Sequence, residues 1–172
     1  MIHIYCGDGK GKTTCSIGLA IRALGAGMRV AFMQFLKDSE SSEIIMLQKL
    51  DNIDIIDNSN IYGFVWNMSD QQKKALTHMH NKNMCSVFED IKSGKYDMVV
   101  LDELCGALSC ALLDRNIVID IVHYCRENDI ELVITGRSPD EFIVEKADYI
   151  TEMKKIKHPY DIGVTARPGI EF

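Results

Sequence analysis

The residues best suited to chemistry form a glycine-, lysine- and threonine-rich run directly after the apolar segment 2–5. The run consists of Gly7, Asp8, Gly9, Lys10, Gly11, Lys12, Thr13 and Thr14. Alternating glycines let a backbone approach a ligand closely, so that its amide N–H groups can point at phosphate oxygens. Lys12 and Lys10 would add cations there, and the Thr13 hydroxyl is a hard-oxygen ligand of the kind Mg²⁺ prefers. We predict a polyphosphate-binding loop between a strand and a helix, although Cys6 stands where the pattern G-x-x-x-x-G-K-[ST] asks for glycine. The alternative is a glycine-rich turn with two solvated lysines.

Two acidic residues, Asp102 and Glu103, follow the apolar segment 96–101. In open parallel sheets ligands bind outside the carboxyl ends of the strands, so these acids should share an edge with the loop. We predict that Thr13, Asp102 and Glu103 hold Mg²⁺ or Mn²⁺ beside bound ATP. The alternative role of the two acids is to cap the following helix. Arg137 follows another predicted strand, where it would contact phosphate or form a surface ion pair.

A third candidate site is the aromatic segment that contains Gly63, Phe64 and Trp66. It follows a polar turn cluster at 57–60 and has neither helical nor strand periodicity. Loops rarely carry this much apolar area. Either Phe64 and Trp66 fold back over the edge of the core, or they form a hydrophobic wall for a large flat ligand.

Strand and helix signals alternate along the whole chain and would position these groups. Apolar runs predict strands at 2–5, 30–35, 53–56, 96–101, 131–135 and 148–153. Periodicity and capping signals predict helices that span 40–50, 69–94, 107–113 and 118–128. A further helix follows the loop and ends at 25–27, and another starts at 138–141 with Pro139 as its first residue. The predicted fold is α/β: a three-layer, P-loop NTPase-like fold with a mainly parallel sheet of about six strands covered by helices on both faces. We expect residues 1–172 to form a single domain.

Overall composition excludes several classes of function. A net charge of −6 and a pI near 5.3 argue against a nucleic-acid surface, which needs a basic stripe. No apolar run approaches the roughly 18 residues of a membrane-spanning helix, and a strand directly after Met1 leaves no room for a signal peptide. We therefore expect a cytoplasmic protein without a membrane partner. The 6 cysteines contain no C-x-x-C pair and should be reduced, mostly core residues.

The motifs, taken together and in order, resemble those of the ATP:corrinoid adenosyltransferases. The matching segments cover nearly the whole chain: the loop at 7–14, Q-F-L-K at 34–37, G-F-V-W at 63–66, V-V-L-D-E at 99–103, T-G-R at 135–137 and K-H-P-Y-D-I-G at 157–163. The resemblance implies transfer of the 5′-deoxyadenosyl group of ATP to the cobalt of a reduced corrinoid, cob(I)alamin, with release of triphosphate. This reaction belongs to adenosylcobalamin synthesis or salvage.

The resemblance also implies roles for individual residues. Lys12 and Lys10, with Mg²⁺ on Thr13 and Glu103, would stabilise the departing triphosphate. Phe64 and Trp66 would pack beneath the corrin ring and displace its lower ligand, leaving a four-coordinate Co(II) that is easier to reduce. A flavoprotein reductase would supply electrons, and the protein would be a homodimer. Two other functions remain open: a small-molecule P-loop kinase, and a nucleotide-gated corrinoid-binding protein without turnover.

Overall fold

A computed structural model describes residues 1–37, 41–58 and 62–170. The strands are β1 (Ile2–Cys6), β2 (Val30–Gln34), β3 (Ile53–Ile56), β4 (Met98–Asp102), β5 (Glu131–Thr135) and β6 (Tyr149–Glu152). The helices are α1 (Lys12–Gly25), α2 (Ser42–Leu47), α3 (Asp70–Lys92), α4 (Leu104–Ser109), α5 (Arg115–Glu127) and α6 (Glu141–Lys146). Short 3₁₀ turns span Val65–Asn67 and Pro159–Ile162. The predicted alternation of strands and helices is confirmed.

The six strands form one sheet in the order β3-β2-β4-β5-β1-β6, and every neighbouring pair is parallel. The register aligns Gln34 of β2 with Asp102 of β4, and Tyr5 of β1 with Thr135 of β5. The carboxyl ends of these strands therefore lie along one edge. The loop after β1, the last residue of β4 (Asp102) and the next residue (Glu103) all lie at this edge, as predicted.

Helices cover both faces of the sheet, because consecutive residues of a strand point to opposite sides. In β2, Ala31 and Met33 belong to a core cluster that includes residues of α3 and α5, whereas Val30 and Phe32 belong to a cluster with residues of α1 and α2. All residues of β2 and β4 are buried. Continuous apolar runs in the sequence are the consequence of this two-sided burial.

The capping box predicted at the start of α3 is present. Gln72 N–H donates to the Ser69 hydroxyl at 3.3 Å, and Ser69 N–H donates to Gln72 Oε1 at 2.8 Å. The helix then buries Leu76, Met84 and other residues of its inner face. The local signal and the periodic apolar stripe thus agree in fixing where this helix begins.

Two helix predictions were wrong in their bounds. Helix α4 spans Leu104–Ser109 rather than 107–113, because the chain turns at Ala111 (φ 54°) and leaves the helix. Helix α5 begins at Arg115 rather than 118, because the Asp114 carboxylate caps it by accepting from Asn116 N–H at 2.9 Å. In α5 the Asp114 cap overrides the apolar spacing.

The expected helix start at Pro139 was also wrong. Asp140 is the N-cap of α6 and accepts from Phe142 N–H at 2.9 Å, so the helix begins at Glu141, two residues after the proline. The helix predicted at 40–50 spans Ser42–Leu47, and residue 40 lies outside the described residues. The predicted strand at 96–101 spans Met98–Asp102, so Asp102 is a strand residue itself.

None of the helices in the described ranges is long and apolar enough to cross a membrane. The cysteines are all unpaired thiols. Cys6, Cys105 and Cys125 are buried, whereas Cys85 and Cys110 are exposed, so the expected core location holds for half of them.

Candidate functional site

The loop between β1 and α1 is held closely against the chain that leaves β6. Gly9 N–H donates to the Met153 carbonyl at 2.6 Å. A Cβ atom added at Gly7 or Gly9 would lie 2.6 Å from the same carbonyl oxygen, and Gly7 has a φ of +99°. Glycine at these two positions therefore permits tight packing against β6, a reason that the sequence pattern did not indicate.

Helix α1 presents its N-terminus to a cleft that the loop surrounds. Its N-cap is Gly11, which supplies no side-chain cap, so the first-turn N–H groups remain available to an anion. Lys12 Nζ donates to the Gly9 carbonyl at 2.9 Å, which keeps the ammonium over the loop. Lys10 Nζ donates to the carbonyl of Ile170, so the C-terminal segment also reaches the loop.

Asp102 is fully buried at the base of the site, with hydrogen-bond donors around both of its carboxylate oxygens. Oδ1 accepts from the Thr135 hydroxyl at 2.7 Å, and Oδ2 accepts from Gln34 Nε2 at 2.9 Å and from the Thr13 hydroxyl at 3.1 Å. Lys37 Nζ lies 3.8 Å from Oδ2. This arrangement orients the carboxylate beside Thr13 and contradicts the alternative of a helix cap.

Glu103 lies at the N-cap position of α4 but makes no side-chain cap, and its φ of 60° is left-handed. Its N–H donates to the Thr135 hydroxyl at 2.8 Å, so Thr135 orients both acidic residues. Burial first, and then the charge of Asp102, raise the pKa of the Glu103 carboxyl, while Lys37 and Lys12 act in the opposite direction. A divalent cation next to this pair of acids would offset both causes.

The cleft has a volume of about 490 Å³. It is lined by Asp8, Gly9, Lys10, Gly11, Lys12, Thr13, Thr14, Ile17, Lys37, Ser42, Glu43, Glu103, Arg137, His158, Gly169 and Ile170. The structure thus gathers the predicted residues 8–14, Glu103 and Arg137 around one space, with Asp102 beneath it. Lysines and an arginine on several sides of the cleft suit a polyanion.

Several residues of this site received no role in the sequence analysis, although all but Ile170 lie in the segments that carry the family resemblance. Gln34 and Thr135 are the last residues of β2 and β5, and Lys37 follows β2 by three positions. Applying the rule of carboxyl strand ends to every strand would have found them. His158 and Ile170 reach the cleft from the C-terminal segment, and no local signal indicates that contact.

Phe64 and Trp66 stack on each other, with ring centroids 4.6 Å apart and 9° between their planes. They flank Val65 at the start of a 3₁₀ turn and are 65% and 75% exposed. The alternative in which they fold back over the core edge is therefore wrong. We call this pair the aromatic platform.

The aromatic platform rests on a small apolar cluster of its own. Met68, Leu76 and Leu112 are buried there, and Val65 packs against them. Neither ring of the platform lines the cleft, so the structure presents two separate features: a cationic cleft and a stacked aromatic surface.

Several known proteins with similar sequences carry the same activity in their names. The sequence profile of the family described as ATP:corrinoid adenosyltransferase BtuR/CobO/CobP matches residues 1–172. The corrinoid adenosyltransferase of Pseudomonas aeruginosa is 32% identical over 173 residues, covering 100% of this chain and 83% of its own. The corrinoid adenosyltransferase of Escherichia coli K12 is 30% identical over 176 residues, covering 100% of this chain and 85% of its own.

A solved structure extends the comparison to the fold. The KaiC-like protein PH0186 of Pyrococcus horikoshii superposes with a TM-score of 0.53 at 15% identity, covering 91% of this chain and 74% of its own. At this identity the likeness concerns the fold alone, a P-loop NTPase-like arrangement of a parallel sheet with helices on both faces. On the sequence profile and the full-length relatives, this chain belongs to the ATP:corrinoid adenosyltransferase family.

Proposed function

We propose that the protein transfers the 5′-deoxyadenosyl group of ATP to the cobalt of a reduced corrinoid and releases triphosphate. The observation that carries this proposal is the presence, on one chain of this family, of a cationic cleft at a helix N-terminus and an exposed aromatic platform. The cleft suits a polyphosphate, and the platform suits a large flat ring. The two features correspond to the two substrates of the reaction.

The cleft would stabilise the leaving group. When a Co(I) nucleophile attacks the 5′ carbon of ATP, the whole triphosphate departs and its negative charge grows. Lys12, Lys10 and Arg137 line the cleft, so their positive charges are in place before the reaction begins. Lys37 also lines it and lies 3.5 Å from the Glu43 carboxylate. The uncapped N–H groups of α1 add further donors. Since no proton leaves the nucleophile, the step needs no general base.

The oxygen donors at the base of the cleft fit Mg²⁺, with Mn²⁺ as a substitute. Mg²⁺ binds one or two protein oxygens and completes its shell with water and phosphate oxygens. We assign Thr13, Asp102 and Glu103 as the residues that would hold it, while Gln34 and Thr135 orient Asp102 by their hydrogen bonds. When bound, the ion neutralises charge on the phosphates.

The aromatic platform would bind the lower face of the corrin ring. Phe64 and Trp66 would take the place of the lower axial ligand, which would leave cobalt four-coordinate and easier to reduce. Gly63, with its left-handed φ of 76°, directly precedes Phe64 and the turn that presents both rings. We further propose, from the family resemblance, that residues 1–172 act as one domain, in a cytoplasmic homodimer that takes electrons from a flavoprotein reductase.

The proposal is tested by incubating the protein without oxygen with ATP, Mg²⁺ and chemically reduced cobalamin. We expect a light-sensitive alkylcobalamin spectrum, with triphosphate recovered by ion-exchange chromatography. Production of ADP without a Co–C bond would overturn the proposal in favour of a kinase. Binding of both ligands without change to either would indicate a corrinoid-binding protein instead.

A further inference from the structure

A second cavity, away from the cationic cleft, lies between the outer face of α3 and the chain that connects α4 to α5. It has a volume of about 590 Å³, within the range of small-molecule sites. It is lined by Asp70, Lys73, Lys74, Thr77, His78, Asn81, Cys110, Ala111 and Leu112. We call it the α3 groove. The function proposed above uses none of these residues.

Two hydrogen bonds fix the walls of the α3 groove relative to each other. Asn81 Oδ1 accepts from Asp114 N–H at 2.9 Å, and His80 Nδ1 lies 3.0 Å from the Leu112 carbonyl oxygen. Burial lowers the pKa of His80, so the ring is neutral, and Nδ1 must carry the proton because a carbonyl only accepts. The groove is therefore formed before any ligand arrives.

The α3 groove lies next to the aromatic platform. Leu112, which lines the groove, packs in the same apolar cluster as Met68 and Val65. Val65 stands between the two platform residues, and Asp70 follows Trp66 by four positions. A ligand on the platform thus has the groove at its side.

The two long walls of the groove differ in chemistry. Lys73 and Lys74 lie on the helix side, and neither has an ion-pair partner among residues 1–37, 41–58 and 62–170. Asp70 lines the same side, so this wall carries two cations and one carboxylate. His78 adds a further polar group. The opposite wall exposes Cys110 and Ala111, with the buried Leu112 behind them, and is mostly apolar. In a chain of net charge −6, this pair of lysines favours an anionic group, and the apolar wall favours a flat ring.

We propose that the α3 groove binds the nucleotide tail of a complete corrinoid. The tail phosphodiester would lie at Lys73 and Lys74, and the base released from cobalt would lie on the wall that exposes Cys110 and Ala111. This inference rests on the proposed function, because the platform releases the base only if it binds the lower face of the corrin. A tethered base returns to cobalt at high effective concentration, so holding it in the groove prolongs the four-coordinate state.

The test compares cobalamin with cobinamide, which has the same corrin ring but lacks the nucleotide tail. Wild type and the Lys73→Ala/Lys74→Ala variant are assayed with both corrinoids in the Co(II) state, with reductant, ATP and Mg²⁺. We expect the ratio of kcat/KM for cobalamin to that for cobinamide to fall about ten-fold in the variant, the effect of losing one charge-assisted hydrogen bond.

Two further variants separate this effect from a general loss of charge or of fold. Lys73→Arg/Lys74→Arg keeps both cations and should restore most of the ratio. Lys82→Ala/Lys92→Ala removes two cations from the same helix outside the groove and should leave the ratio at the wild-type value. A thermal melt of each variant checks that the fold persists.

The possible results are distinguishable. The groove assignment is overturned if the ratio is unaltered in the Lys73→Ala/Lys74→Ala variant, or if it falls no more than in the Lys82→Ala/Lys92→Ala control. In either case the proposed function still stands, provided that the wild type adenosylates cobinamide. A wild-type protein that alkylates neither corrinoid contradicts the proposed function itself, and the tail assignment fails with it.

Discussion

Replacing Trp66 by alanine should separate stability from corrinoid binding. The indole is 75% exposed and stacks on Phe64, itself 65% exposed, so its removal takes little surface out of the core. An exposed aromatic pair contributes about 0.5–1.5 kcal/mol. We expect the free energy of unfolding, measured in urea, to change by about 1 kcal/mol or less.

The effect on the corrinoid should be larger. If the corrin ring covers about 100 Å² of the indole, burial at about 25 cal/mol per Å² contributes about 2.5 kcal/mol, or about 70-fold in affinity. For cob(II)alamin the loss should be larger, because displacement of its lower ligand also depends on the indole ring. Cob(I)alamin is already four-coordinate, so it should lose only the binding free energy that comes from burying the indole.

The assay follows Co–C bond formation from cob(II)alamin with reductant and from preformed cob(I)alamin, with electron paramagnetic resonance to detect four-coordinate Co(II). Tyr149→Ala is a matched control, since Tyr149 is 55% exposed and stacks on His3 at 4.8 Å outside the platform. Equal losses from the two oxidation states would refute ligand displacement. Full activity in Trp66→Ala would refute the platform assignment altogether.

Three other substitutions test the cleft and the core. Lys12→Ala should lower Co–C bond formation by about 100-fold or more, since it removes a cation aimed at the leaving group; retained turnover would contradict the loop assignment. Asp102→Asn places an amide donor among groups that already donate, so the free energy of unfolding in urea should fall by about 1–3 kcal/mol. The Mg²⁺ concentration needed for half-maximal rate should rise, and a wild-type Mg²⁺ dependence would contradict metal binding. Burial lowers the pKa of His80, so below about pH 6.5 the unfolded chain binds more protons than the native one and stability should fall by at most about 1.4 kcal/mol per pH unit. His80→Gln should flatten that slope in chemical unfolding between pH 5 and 7.5, and an identical slope would show that His80 is not responsible.

The sequence was sufficient for the sheet and for the loop because both depend on local patterns. Buried strands such as β2 appear as uninterrupted apolar runs, and the groups that follow them must meet at one edge. The bounds of α5 and α6 were missed because a single carboxylate, Asp114 or Asp140, sets the first turn, whereas α4 begins after the left-handed Glu103 without a side-chain cap. Such caps act over two or three residues, and the spacing of apolar residues gives no sign of them.

Long-range contacts account for the rest of the site. Lys10 meets Ile170 across 160 positions of sequence, and Gly9 packs on Met153 after β6. Neither contact has a local signal. The exposure of Phe64 and Trp66 was likewise open in the sequence, because a stacked exposed pair and a buried pair can have the same residue types.

The most direct measurement follows the fate of the two halves of ATP in a single reaction with cob(I)alamin. ATP labelled in the adenosine and in the γ-phosphate is incubated with the protein, and the products are separated in the dark. Transfer from the cationic cleft to a corrinoid on the aromatic platform predicts adenosine label bound to cobalt and the γ label in intact triphosphate. Adenosine label recovered as ADP, with the γ label on another acceptor, would contradict it.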